Sequence, residues 1–118
     1  MSAQILDAID GIITSEITGI VTPDELAACQ AQTLAHLQEW GGGALLTICE
    51  DFQGFAEGDW SGVSFQAQAD PLIRKMAIIG EKQWEEMATT FTGKGYRPFP
   101  IEFFPTGHMR EAYAWLKA

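Results

Sequence analysis

The sequence predicts an α/β domain in the order β-β-α-β-α-β-α-β-α, with a five-stranded, mostly parallel sheet and four helices. Three observations carry that expectation. Met76 to Ile79 is an unbroken apolar run, the mark of a strand covered on both faces. Directly after Gly80 the period changes: Trp84, Met87, Ala88 and Phe91 fall at i, i+3, i+4 and i+7, a helical stripe. Strand-like and helix-like segments also alternate along the chain, as a parallel sheet with right-handed crossovers requires.

Taken in order, Gln4-Ile5-Leu6 reads as a first strand and Asp10-Gly11 as a hairpin turn. Ile12 to Ile20 is the returning strand. Ile13, Ser15 and Ile17 share one face, and Thr14, Glu16 and Thr18 share the other, which is expected to be wet. Thr22-Pro23-Asp24-Glu25 starts a helix, with Thr22 as cap, Pro23 at the first helical position and acids at the positive end of the dipole. Leu26, Cys29, Thr33, Leu37 and Trp40 line one face of that helix, which runs to about Glu39 and stops at Gly41-Gly42-Gly43. A phosphate-binding glycine loop follows a strand and opens a helix, so this triplet is punctuation.

Ala44 to Cys49 is the next strand, and Glu50 to Gly58 leaves it as a loop. Asp59 caps a short helix from Trp60 to about Gln68, with Trp60, Val63 and Ala67 inward. Asp70-Pro71 breaks it before the central strand. Thr92-Gly93 stops the following helix, and Pro98 and Pro100 confine Ile101 to Phe104 to a short edge strand. Thr106 is the expected cap of a last helix, whose stripe is Met109, Ala112, Tyr113 and Leu116.

At 118 residues the chain suits one domain, 1–118, burying roughly 60–70% of its unfolded surface without staples. No apolar run approaches a membrane span, and the N-terminus lacks the basic start and apolar centre of a secretory signal. A cytoplasmic protein is the expectation, with Cys29 and Cys49 as reduced, buried small hydrophobes. Charge is lopsided: residues 1–73 hold 11 acids and no Lys or Arg, whereas residues 74–118 hold 7 basic and 5 acidic residues. That excludes nucleic acid as a natural partner, because Lys and Arg supply most phosphate binding. It also repels anionic membrane surfaces over most of the molecule.

Four stretches, in order, resemble one family. They are Thr22-Pro23-Asp24-Glu25-Leu26 after a strand ending in Gly19, Glu50-Asp51-Phe52-Gln53-Gly54-Phe55 after the middle strand, the run from Ile73 through Gly80 to Trp84, and Glu111-Ala112-Tyr113-Ala114-Trp115-Leu116. Together they are similar to the SpoIIAA-like family of small bacterial proteins, related in fold to STAS domains and Sec14-type lipid carriers. The resemblance implies sequential parallel strands, helices wound beside them, and a cytoplasmic bacterial protein. It imports no enzymatic activity. Two departures stand out. Glu81 follows the central glycine where the family usually has Asp, a better cap. The phosphorylated Asp-Ser-Ser/Thr-Gly segment of anti-sigma-factor antagonists is replaced by Phe52-Gln53-Gly54-Phe55, so the phospho-switch does not carry over.

The chemistry-bearing residues point away from catalysis. Nucleotide, dinucleotide, serine-hydrolase and zinc-hydrolase motifs are missing, and no metal or cofactor is expected. His36 and His108 read as surface or boundary histidines. Cys29 has no basic neighbour in sequence, and Glu50-Asp51 beside Cys49 disfavours a thiolate. The acid pairs Glu50-Asp51 and Glu85-Glu86 read as solvated.

What remains is an aromatic series, Phe52, Phe55, Trp60 and Phe65, at the carboxyl edge of the sheet, where open α/β sheets bind ligands. With Val63 and the turn at Gly80 and Lys82, these residues form the expected binding site for a small apolar or lipid-like molecule. The plain alternative is that they pack as a lid over the core; Trp84 and Trp115 are expected as core or core-edge residues rather than ligand contacts. A non-catalytic carrier with transient membrane contact is therefore one expectation. A STAS-like interaction or regulatory module is the other, with Ser61 and Ser64 near a helix N-terminus. A homodimer is expected if Leu45, Cys49, Ala77 and Ile79 make one bare sheet face apolar.

Overall fold

The computed structural model describes residues 3–57, 69–92, 95 and 97–118. Among these are seven strands, β1 (Ala3–Ile9), β2 (Ile12–Ile17), β3 (Gly19–Val21), β4 (Gly43–Cys49), β5 (Phe52–Phe55), β6 (Ile73–Gly80) and β7 (Ile101–Pro105). Three α-helices accompany them: α1 (Pro23–Trp40), α2 (Glu85–Thr92) and α3 (Met109–Lys117). Five strands form the main sheet in the order β1-β2-β4-β6-β7. Only β1 runs antiparallel to its neighbour, and every other pairing is parallel. The molecule is thus α/β with a mostly parallel, mixed sheet.

Local chemistry explains the joints. Asp10 and Gly11 both have positive φ, 56° and 75°, the geometry of a two-residue hairpin turn that matches strand twist. Thr22 Oγ1 accepts the Glu25 amide at 3.2 Å and starts α1, with Pro23 needing no donor. Gly41 ends it at φ 77°, and the Gly42 amide returns to the Leu37 carbonyl at 3.0 Å.

The expected strand from Ile12 to Ile20 is two strands. Gly19, at φ 61°, turns the chain out of the main sheet, and its amide bonds the Asp51 carbonyl at 2.9 Å. β3 then pairs in parallel with β5, so part of the expected loop from Glu50 to Gly58 is a strand. The short β3–β5 ladder supplies backbone partners that the alternation pattern alone did not reveal.

Register sorts the core into two layers. Leu45 lies opposite Met76, and Leu46 opposite Ala77. Ile13, Leu45, Cys49, Met76, Ile78 and Ile101 therefore pack toward Leu26 and Leu37 of α1. Ile12, Ala44, Leu46, Ile48, Ala77 and Ile79 pack on the other face with Ala112 and Leu116 of α3. The premise of one bare face shared by Leu45, Cys49, Ala77 and Ile79 does not hold, because period-2 alternation places them on opposite faces.

The face of Thr14 is not wet either: Thr14 is buried, and its Oγ1 lies 3.2 Å from the Tyr113 hydroxyl. Two β6 cations anchor the far end of α3. Arg74 Nη1 donates to the Leu116 carbonyl at 2.7 Å, and Lys75 Nζ to that of Trp115 at 2.8 Å, where the helix dipole is negative.

Two further expectations change, while Glu81 is the poor cap expected. A 3-10 turn, Lys82–Trp84, precedes α2 and resets its phase, so Trp84 and Ala88 join the core while Met87 is exposed. Glu81 makes no capping bond and instead accepts from Gln83 Nε2 at 3.0 Å. His108, not Thr106, occupies the N-cap of α3, and the Thr106 amide bonds the Gly80 carbonyl at 3.1 Å. The expected helix from Trp60 to Gln68, the Phe91 side chain and Gly93 lie outside the described residues.

Candidate binding cavity

Pairing across the sheet makes a hollow. In β2, Ser15 sits between Ile13 and Ile17 on the α1 face, and register sets it beside Thr47 of β4. Thr47 in turn lies beside Ile78 of β6. Two short side chains in adjacent strands lower the floor between larger neighbours. From above, α1 presents Leu26, Cys29, Gln30 and Thr33, and α2 presents the methyl of Ala88 next to Trp84. The volume left between these surfaces is about 110 Å³.

One wall is aromatic. Phe52 packs edge-on against Phe55 and against Trp84, both at 5.1 Å between ring centroids. Phe103 of β7, Met76 and Leu45 add to the apolar lining, and among the described residues no Asp, Glu, Lys, Arg or His contributes to the wall. A charge entering this space would be desolvated without a counter-ion, so the cavity selects for neutral groups.

The few polar groups are constrained. Thr33 Oγ1 donates to the Cys29 carbonyl at 3.0 Å, a bond within the helix. Burial pushes the Cys49 thiol up to about 12. Burial also raises the Cys29 thiol, against a smaller opposing hydrogen bond from Thr33. Both remain protonated near neutrality, which makes them poor nucleophiles. Gln30 Oε1 is shut off from solvent and has no hydrogen-bond partner.

Of the residues expected at the site, Phe52 and Phe55 do line the cavity. Gly80 ends β6 against Cys49, where an added Cβ would come within 3.3 Å of the Cys49 Cβ; it lies outside the lining. Lys82 is exposed on the 3-10 turn and is not in the wall. Trp60, Val63 and Phe65, with Ser61 and Ser64, lie outside the described residues. Trp84, expected in the core or at its edge, packs partly buried against the core and also lines the cavity. Gln30, Ser15 and Thr47 were also missed, although a polar residue within an inward helical stripe and two short residues on buried strands are signals in the sequence.

Among the described residues, no group of three His, Cys, Asp or Glu side chains is placed to hold a metal. No described helix is long and apolar enough to cross a membrane.

The backbone is similar to the crystal structure of an uncharacterized protein from the DUF3478 family with a SpoIIAA-like fold, from Shewanella loihica PV-4. The TM-score is 0.72 at 19% identity, covering 97% of this chain and 91% of that one. At that identity the likeness concerns the fold. No curated protein sequence matches the chain. The SpoIIAA-like family profile matches residues 12–117, nearly the whole length, and the chain therefore belongs to the SpoIIAA-like family.

Proposed function

We propose that this protein is a non-catalytic binder of a small apolar or lipid-like molecule. The observation behind this reading is the cavity of about 110 Å³ between α1 and the sheet, whose described lining carries no charged side chain. Close-packed interiors rarely leave such space, and an apolar cavity of roughly 150 Å³ is known to admit benzene. Burial of six apolar carbons contributes about 5 kcal/mol before the cost of immobilisation, so one ring alone binds no more tightly than about 0.1–1 mM. A longer apolar chain would seat its end here and leave the remainder outside.

Catalysis finds little support in the cavity. Its thiols are held neutral, and among the described residues its wall offers no carboxylate, imidazole or amine. Two free, buried cysteines fit a reducing, cytoplasmic setting. Membrane contact in this reading is brief and favours neutral lipid, since a net charge of −9 opposes anionic surfaces. Native mass spectrometry of gently purified protein, paired with flotation on neutral liposomes, tests the proposal. A retained small molecule or co-flotation supports it; bare protein that neither carries nor floats counts against it.

A second reading, an interaction module that includes self-association, draws on β1. This edge strand exposes Leu6 and Ile9, at 47% and 61%. The register shift at Leu6 and the neighbouring Asp7 blunt that edge against open-ended pairing. Sedimentation over a concentration series separates a monomer from a dimer.

A further inference from the structure

We infer that the molecule held in the cavity carries a neutral acceptor oxygen, of the ketone, aldehyde or ester kind, seated between the hydroxyls of Ser15 and Thr47. This rests on the apolar-ligand reading above and narrows it to a chemical class.

The two residues share the cavity floor. Ser15 stands between Ile13 and Ile17 of β2, and Thr47 between Leu45 and Cys49 of β4. Those flanking side chains pack on the α1 side of the sheet, and the period of two turns Ser15 and Thr47 to the same side. Both line the cavity, and register sets them beside each other in a parallel pair. Adjacent strands lie about 4.8 Å apart, so one oxygen over the midline reaches both hydroxyls at about 3 Å.

Neither hydroxyl is already engaged. Thr47 is only 9% exposed, yet its Oγ1 has no hydrogen-bond partner, and the Oγ of half-buried Ser15 has none either. Unlike Gln30 Oε1, both oxygens border space wide enough for a water molecule. For Thr47, buried within a central strand, that space is the cavity. The Thr33 hydroxyl differs, because it donates to the Cys29 carbonyl at 3.0 Å. Ser15 and Thr47 therefore bring two uncommitted protons to one place.

A carbonyl oxygen has two lone pairs and takes both protons. The row of paired residues continues from Thr47 through Ile78 to Phe103, so the body of such a ligand rests on hydrocarbon. A carboxylate would accept the same two bonds, but among the described residues the wall holds no Lys, Arg or His to balance its charge. A pure hydrocarbon would leave both protons unmet.

The test is NMR titration with two rings of equal heavy-atom count, cyclohexanone, which carries the acceptor, and toluene, which does not. Each is titrated into wild type, Ser15→Ala and Thr47→Val. The inference predicts that each substitution weakens cyclohexanone about fivefold and leaves toluene within about twofold of wild type. Thr47→Ala replaces the valine variant if that one does not fold. Cyclohexanone affinity that neither substitution changes, or that falls only in parallel with toluene affinity, overturns the inference and leaves the apolar cavity standing. Sensitivity to only one substitution overturns the shared seat. Toluene binding without cyclohexanone binding overturns the inference as well. Failure of both probes to bind wild type removes the apolar-ligand reading and this inference together.

Discussion

The ring of Phe52 meets the indole of Trp84 edge to face, with centroids 5.1 Å apart. Phe52 comes from the short β5 ladder, and Trp84 from the 3-10 turn after the central strand. This contact joins two separate peripheral segments into one wall of the cavity. Phe52 is nearly fully buried, so Phe52→Ala should cost about 3–5 kcal/mol, read as a drop in the urea midpoint. A loss below about 1 kcal/mol would mean that the wall is not formed in solution.

Ala88 is the short side chain that α2 turns toward the cavity. Ala88→Leu should fill part of the empty volume, leave stability within about 1.5 kcal/mol of wild type, and abolish uptake of small aromatic probes. Thermal melts with and without toluene make the check. Toluene should raise the melting temperature of wild type only.

Arg74 and Lys75 hold the carboxyl end of α3 through the carbonyls of Leu116 and Trp115. Arg74 is exposed, so Arg74→Ala should cost only about 0.3–1 kcal/mol, and the loss should shrink with added salt. Tyr113→Phe removes the contact to Thr14 at 3.2 Å and should cost about 1 kcal/mol without salt dependence. Unfolding curves at low and high ionic strength separate the two effects.

Cys49 gives the protein an alkaline weakness. Its thiol is raised in the fold from 9.0 to about 12 by burial, so between those values the folded chain keeps a proton that the unfolded chain has lost. Stability is therefore complete below about pH 9 and falls above it, by up to about 1.4 kcal/mol per pH unit from this group. Urea midpoints for wild type and Cys49→Ala between pH 8 and 11 test the sign. The difference between the two curves should move steadily against wild type as pH rises.

Much of the fold is legible because local signals agree with global packing. The central strand, the Thr22 cap, the Asp10-Gly11 hairpin and the stripe of α3 each rest on a pattern confined to a few neighbouring residues. The missed features depend on distant partners. Nothing near Thr14 in sequence tells that Tyr113 will cover it, and Phe52 to Phe55 becomes a strand only because Gly19 delivers β3 alongside. The cavity is less legible still. Its aromatic wall was partly visible in Phe52 and Phe55, but the hollow arises from Ser15 and Thr47 being brought side by side by register. Volume is a property of such pairings, and no single residue announces it.

The central claim is that the space between α1 and the sheet is open to a small apolar molecule in solution. Titration of isotopically labelled protein with toluene, followed by amide and indole resonances, addresses it most directly. The account predicts saturable shifts concentrated at Ser15, Gln30, Thr47, Ile78 and the Trp84 indole, with β1 and the outer face of α3 unmoved. Shifts absent at toluene's solubility limit, or confined to exposed Leu6, Ile9 and Ile20, would contradict it.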